Sequence, residues 1–415
     1  MATFSGTDRL RDLHAFDDTK AGVKGLVDAG VTTVPYFFRH HPDPLPVAAP
    51  SEAAAAIPLI DLAKADVDRG HVVSQVRSAA ESAGLFQVVN HGVAGELMDA
   101  MLAAARRFNE QPAEAKAPYY TRDLGSKVRF FCNFDLFQSP AAQWRDTLYV
   151  EMVPDAPSPE EIPPPLRGVA EEFAAAVWRG GGGGAETELL SEALGLPPGY
   201  LAEHAGCMDG MSMVAQYYPP CPEPEKTMGT TRHSDPSFLT VLLQDESGGL
   251  QAVLPRPPEE RWVDVPPVAG ALVVNVGDLL QLVSNDRLRP APEHGAPGAA
   301  HRRQRGAGPR GGGVLLPARV LGVVDEAEVV RPDRGFRRRR RAAGGGGVQE
   351  HDAEGFPGVL QRQGARRAVG AGAFQDSGGG CGFFRRRRRL LLHHRRRIHS
   401  TVAIVSVRVE VVACW

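Results

Sequence analysis

The chain has 415 residues, enough for one large domain or two ordinary ones, and 43% of them are hydrophobic, enough to bury a sizeable core. No run of 18 apolar residues occurs, so no membrane span is expected. The formal net charge of −2 hides a split: residues 1–294 hold 23 Lys and Arg against 40 Asp and Glu, whereas residues 295–415 hold 24 Arg, no Lys and 9 Asp and Glu. Cys132, Cys207, Cys221, Cys381 and Cys414 are scattered with no C-x-x-C, which predicts neither a zinc site nor a disulfide framework. The first residues lack a basic segment followed by an apolar one, so no secretory signal is expected and the predicted location is cytoplasmic.

In chain order, residues 1–56 are polar and rich in Ala and Pro and read as an arm, partly helical around Asp18–Ala29. Ile57–Leu62 is a short apolar run that predicts a strand. Val72, Val73, Val76, Ala79 and Ala80 recur at helical spacing, which predicts a helix over His71–Ala83, stopped by Gly84. Leu85–Val93 reads as a strand closed by a turn. Leu97, Met101, Leu102, Ala105 and Phe108 share one face of a helix over Glu96–Glu110, ended by Pro112. A helix begins at Glu171–Arg179, but Gly180–Gly184 interrupt it and predict a loose loop, because each Gly in a helix costs roughly 1 kcal/mol against Ala. No strand precedes that tract and no Lys-Ser/Thr follows it, so it is not a phosphate loop. Leu189–Leu196 resumes the helical pattern.

From there the pattern turns to short strands. Leu239–Gln244, Gly248–Val253, Arg261–Val265 and Ala271–Leu280 are apolar runs separated by turns, which suggests a sandwich or jelly roll. The segment Thr231-Arg232-His233-Ser234-Asp235 precedes the first of them. Side chains two apart on a strand point the same way, so His233 and Asp235 suit two cis ligands of one metal. Mixed nitrogen and oxygen ligands with open positions suit non-haem Fe(II), completed by a second His from elsewhere.

Several stretches carry a resemblance. Ile57–Leu62 with Ala83-Gly84-Leu85-Phe86-Gln87-Val88-Val89-Asn90-His91-Gly92-Val93 resembles the N-terminal region of plant 2-oxoglutarate- and Fe(II)-dependent dioxygenases. Phe16–Asp28, Arg129–Phe137 and Trp144-Arg145-Asp146-Thr147-Leu148 resemble the subgroup of aminocyclopropane-carboxylate oxidase homologues, which includes the benzoxazinoid-glucoside (DIBOA-glucoside) dioxygenases of grasses. Leu239–Asp245 and Asn275-Val276-Gly277-Asp278 extend the match.

The resemblance implies an α+β fold: a double-stranded β-helix, or jelly roll, flanked by N-terminal helices. It implies Fe(II) held by His233, Asp235 and a His some 55–60 residues further on. His294 in Glu293-His294 fills that place, one residue late relative to Asn285. Tyr218, from Ala215-Gln216-Tyr217-Tyr218-Pro219, is implied as a contact to the 2-oxoglutarate carboxylate, with Gln216 standing where the family has Asn. His91 is implied to cap a buried turn rather than to bind metal. The implied reaction consumes O2 and 2-oxoglutarate, gives succinate and CO2, and oxidises a small plant metabolite. A true aminocyclopropane-carboxylate oxidase would use ascorbate in place of 2-oxoglutarate, and the homologue subgroup argues for 2-oxoglutarate, with ascorbate at most an addition. The expected partner is a small-molecule substrate, not a membrane or a nucleic acid, and a monomer is expected.

After His294 the resemblance stops. Residues 296–415 contain no Lys, Asn, Tyr or Met and no Thr before Thr401, and they carry the runs Arg337–Arg341, Gly344–Gly347 and Arg385–Arg389. That bias toward residues with G/C-rich codons reads as a shifted reading frame. The alternative, a basic nucleic-acid-binding tail, usually mixes Lys with Arg and interleaves aromatics. The family's Arg-x-Ser, whose Arg pairs with the distal carboxylate of 2-oxoglutarate, does not occur after His294, and Arg302, Arg303 and Arg305 receive no role. The expected organisation is an arm (1–56), a dioxygenase N-terminal region (57–165), a helical connector (166–209), a truncated jelly-roll core (210–295) and a disordered tail (296–415). A chain so truncated also reads as a catalytically impaired remnant.

Overall fold

Period-two alternation gives each strand two unlike faces, and both faces of the central strands here are buried. Leu239, Val241 and Leu243 enter one apolar cluster, whereas Leu242, between them, enters another. The computed structural model describes residues 8–41, 57–181, 184–254, 261–291, 293–295 and 313–321, the last two segments by their backbone alone. The described residues all belong to one compact unit.

Its strands are β1 (Leu59–Asp61), β2 (Leu85–Val89), β3 (Val128–Phe131), β4 (Asp146–Val153), β5 (Gly210–Tyr218), β6 (Leu239–Gln244), β7 (Leu250–Leu254), β8 (Arg261–Asp264), β9 (Leu272–Val276), β10 (Glu293–Gly295) and β11 (Gly313–Leu321). Eight form one sheet in the order β1-β2-β9-β6-β11-β5-β4-β3, and β10-β7-β8 form a second. The pair β1–β2 is parallel; the other neighbours are antiparallel.

The large sheet separates two cores. On one side Phe130, Leu148, Met213, Tyr217, Val241 and Val274 meet the helices α3 (Ala65–Ser82), α4 (Gly95–Asn109), α5 (Val169–Ala176) and α6 (Gly184–Ala193) through Val76, Met101, Phe108, Phe173 and Leu190. On the other side Leu85, Tyr218, Leu242 and Val273 meet Leu250, Ala252, Leu254 and Val263 of the small sheet. Full burial of side chains this large contributes ~1.5–3 kcal/mol each. That explains how helix survives beside the glycine tract. Where a loose loop was expected, α5 runs into a π-helical turn over Val177–Gly181 and α6 begins at Gly184, while residues 182–183 lie outside the described ones. The glycines' propensity cost of roughly 1 kcal/mol apiece is offset by Phe173, Val177, Leu189 and Leu190, all buried in the main core.

Residues 8–41 of the expected arm form a packed layer, and the helix expected around Asp18–Ala29 is present over Gly22–Asp28. The helices α1 (Arg9–Asp17) and α2 (Gly22–Asp28) and a 3-10 turn at Tyr36–Phe38 bring Leu13, Phe16, Val23, Phe37 and Phe38 against Cys132, Leu136 and Trp144. Phe38 meets the Trp144 ring edge-on at 5.2 Å. No one of these short elements holds enough apolar residues to show a period, which hides the layer in the sequence. Residues 42–56 lie outside the described residues.

Two further departures lie in the C-terminal part of the fold. The run Ala271–Leu280, expected as a strand into a turn, is strand to Val276 and then the short helix α7 (Asp278–Val283). The tail, expected outside the sheet, contributes β11 between β5 and β6. Its apolar residues Val314, Leu315, Leu316, Val320 and Leu321 suit a strand flanked on both sides, although Pro317 donates no ladder hydrogen bond. The rest of 296–415 lies outside the described residues.

Candidate metal centre

His233 and Asp235 do not stand on a regular strand, as their spacing suggested. They occupy the segment leading into β6, with His233 in an isolated bridge position. Pro236, which lacks an N–H, prevents the ladder from extending back through them. The segment is instead held from behind. Asp278 N–H donates to the Asp235 carbonyl at 2.8 Å, Gly277 N–H to Phe238 O at 2.9 Å and Leu279 N–H to Ser237 O at 3.1 Å. A Cβ on Gly277 would come within 1.9 Å of Ser237 O, so only glycine permits this approach.

The side chains are oriented as well. His233 Nδ1 lies 2.9 Å from the Thr231 carbonyl. A carbonyl only accepts, so Nδ1 carries the proton and Nε2 keeps its lone pair. Asp235 is 1% exposed, and the Thr240 hydroxyl donates to its Oδ2. Its Oδ1 lies 3.7 Å from His233 Nε2. Two donors bound to one ion at ~2 Å each stand no more than about 4 Å apart, so this pair fits a single divalent cation. The Asp278 carboxyl is raised above its ordinary range, first by burial and also by the charge of Asp235, with the Ser234 side chain opposing.

Thr231 is itself buttressed. Gln143 Nε2 donates to Thr231 Oγ1 and Thr230 Oγ1 donates to Gln143 Oε1, both at 3.1 Å, and the Arg145 guanidinium donates to Thr230. Nothing in the sequence pointed to Gln143 or to Gly277 as supports, because Thr231 lies 88 residues from Gln143 and Phe238 lies 39 residues from Gly277.

The remaining expected residues fall as follows. Tyr218 is buried between the sheets and its hydroxyl donates to Gln216 Oε1 at 2.6 Å. His294 lies on β10 opposite Gln251, while Glu293 and Gly295 stand opposite the core-lining Ala252 and Leu250. The His294 side chain lies outside the described ones. Among the described residues no cluster of three metal-binding side chains forms. Arg302, Arg303 and Arg305 lie outside the described residues, whereas Arg319 stands in register opposite both Thr240 and Ser212. His91 caps its turn: Val93 N–H donates to Nδ1 at 3.2 Å, leaving Nε2–H to donate to Gly270 O at 3.1 Å.

This α+β fold is that of an oxygenase of the 2-oxoglutarate and Fe(II) type. Residues 210–307 match the model of the 2OG-Fe(II) oxygenase superfamily, and residues 57–168 match that of the non-haem dioxygenase in morphine synthesis N-terminal region. The chain is 48% identical over 284 residues to 1-aminocyclopropane-1-carboxylate oxidase homolog 1 of Arabidopsis thaliana, covering 68% of this chain and 76% of that one. It is 47% identical over 285 residues to the homologue from Solanum lycopersicum, with the same coverage. The crystal structure of JOX2 in complex with 2OG, Fe and JA superposes with a TM-score of 0.61 at 27% identity, over 72% of this chain and 83% of that one. The chain therefore belongs to the 2-oxoglutarate/Fe(II) oxygenase family, in the plant 1-aminocyclopropane-1-carboxylate oxidase homologue subgroup. Its C-terminal ~120 residues are unmatched. The family uses Fe(II) and 2-oxoglutarate, and no helix among the described residues is long and apolar enough to cross a membrane.

Proposed function

We propose that this chain binds Fe(II) through His233 and Asp235 and oxidises a small plant specialised metabolite, consuming 2-oxoglutarate and O2 and releasing succinate and CO2. The two sheets act as the halves of a jelly roll around that site. The observation that carries the reading is the His233 Nε2–Asp235 Oδ1 separation of 3.7 Å, with Nδ1 committed to the Thr231 carbonyl. Iron, when bound, supplies the redox chemistry that activates O2. The chain's own residues orient and exclude water. Thr231 fixes the imidazole tautomer, Thr240 holds one carboxylate oxygen, and Tyr218 with Gln216 offers polar contacts to the co-substrate. His294 is the third ligand in this reading.

A second reading, an impaired remnant of the family, draws on the unmatched C-terminal ~120 residues and the absent Arg-x-Ser. Titration of Fe(II) and 2-oxoglutarate against the purified chain separates the two. His233→Ala is expected to abolish iron-dependent succinate release, with His294→Ala assayed beside it. Equal turnover in the His233 variant would overturn the first reading, and failure of the parent chain to bind either ligand would favour the second.

A further inference from the structure

Arg129 is a buried cation for which the described chain supplies no counter-charge. On β3, Val128 and Phe130 pack into the main core beside the helices, so Arg129 and Phe131 lie on the opposite face. Directly opposed residues share a face, and the register carries this one inward. Arg129 pairs with Tyr149 and Tyr149 with Val214; Phe131 pairs with Thr147 and Thr147 with Gln216. It is the face on which Gln216 and Tyr218 stand, two residues apart on β5.

Arg129 is 9% exposed, and its guanidinium carbon lies 3.9 Å from the centre of the Tyr149 ring. Its Nε is sealed from solvent without a hydrogen-bond partner among the described residues. Glu151, two residues beyond Tyr149 on β4, shares this face by alternation but forms no ion pair with it. Stacking on one ring is weak compensation for a buried charge that lacks an anion. The surroundings are unfinished in the same way. Thr147 Oγ1 is buried without a partner among the described residues. Phe131 and Val214, 7% and 6% exposed, join none of the three apolar clusters.

We propose that Arg129 binds the carboxylate of the prime substrate, which is a small monocarboxylic acid whose apolar or aromatic body lies along Phe131 and Val214. A planar guanidinium held against a ring presents a fixed fork of donors that matches a carboxylate bidentately, which a lysine would not. Calling the acid a substrate rests on the oxygenase reading; its binding does not.

The test uses the full chain without iron or 2-oxoglutarate. Phenylacetate, cinnamate and hexanoate are each titrated beside their primary amides by calorimetry and thermal shift. At least one acid is expected to bind about tenfold more tightly than its amide, the size of one charge-assisted hydrogen bond. Arg129→Gln should erase that preference, Arg129→Lys should retain part of it, and His233→Ala should leave it intact. Without ligand, Arg129→Met should melt no lower than the parent, since it removes an uncompensated charge; a marked drop would assign Arg129 a structural role and overturn the proposal. So would the absence of any acid preference, its survival in Arg129→Gln, or displacement of the acid by 2-oxoglutarate in an Arg129-dependent way. Loss of succinate release in His233→Ala with the acid preference intact keeps the two readings distinguishable.

Discussion

Asp146 and Glu186 are both fully buried carboxylates, and they sit in differently built surroundings. Asp146 opens β4, where its Oδ1 accepts from Val23 N–H at 2.7 Å and its Oδ2 from Lys24 N–H at 2.8 Å. Glu186 lies in α6 with neither oxygen in hydrogen-bond geometry with a partner among the described residues, and only its own N–H lies near enough to favour the anion. Burial pushes both upward. Asp146 rises to about 6, opposed by the two N–H groups and by the charges of Lys116 and Lys24. Glu186 rises to about 7. At neutral pH the first is therefore an anion that fastens the N-terminal layer to the sheet, while the second is half protonated and holds no partner among the described residues. Desolvation sets the direction in both, and the surrounding donors decide which carboxylate bears structure.

The contrast breaks most visibly at Asp146. Asp146→Ala would strand one buried and one part-buried N–H group, the buried one worth ~1–3 kcal/mol and the other less, so a loss of about 3.5 kcal/mol is expected from the urea midpoint, with the N-terminal layer detaching first by hydrogen exchange. A loss below about 1 kcal/mol would mean that the aromatic cluster alone holds that layer.

Glu186 sharpens the comparison with the opposite sign. Its folded value lies above the ordinary 4.5, so its stabilising contribution is complete below pH 4.5 and is lost as the pH rises through about 7. Glu186→Gln removes the penalty and should stabilise the chain at pH 8 by on the order of 3 kcal/mol, with no gain at pH 4. Parallel pH profiles for variant and parent would refute this account.

The smallest effect is expected at Gly22. Its φ is +68°, and a Cβ there would stand 2.3 Å from Asp146 Oδ1. Gly22→Ala should cost about 1–2 kcal/mol. In an Asp146→Ala background the cost should shrink, because the crowded carboxylate is gone. Additive costs in the double variant would leave only the backbone strain.

Much of this was legible in the residues. The alternation in Leu239–Gln244 and Leu272–Val276 predicts buried strands, and the spacing of Met101, Ala105 and Phe108 predicts the apolar face of α4, since each pattern is local. His233 and Asp235 were legible as a pair for the same reason. The sequence motifs Gly22-Val23-Lys24 and Trp144-Arg145-Asp146 each carried a family resemblance, yet nothing in either indicated that the carboxylate of one caps the helix of the other. The helix over Gly22–Asp28 was legible within Asp18–Ala29, but the packing of residues 8–41 as a layer was not, because their apolar residues are spread over three short elements; in the tail, composition masks the pairing of Gly313–Leu321, the longest stretch of it among the described residues.

By itself, then, the sequence determined the family, the period of each long element and the candidate ligand pair His233 and Asp235, which lies within three residues. The tertiary structure decided the rest: the support of His233 by Gln143 through Thr231, the close approach that requires Gly277, and the union of Gly22 with Asp146. It also decided the stranding of Arg129 on the inter-sheet face without an anion among the described residues. These are contacts between segments tens of residues apart. Chain spacing carries no information about them, because they are set by strand register and burial, which exist only once the sheets have formed.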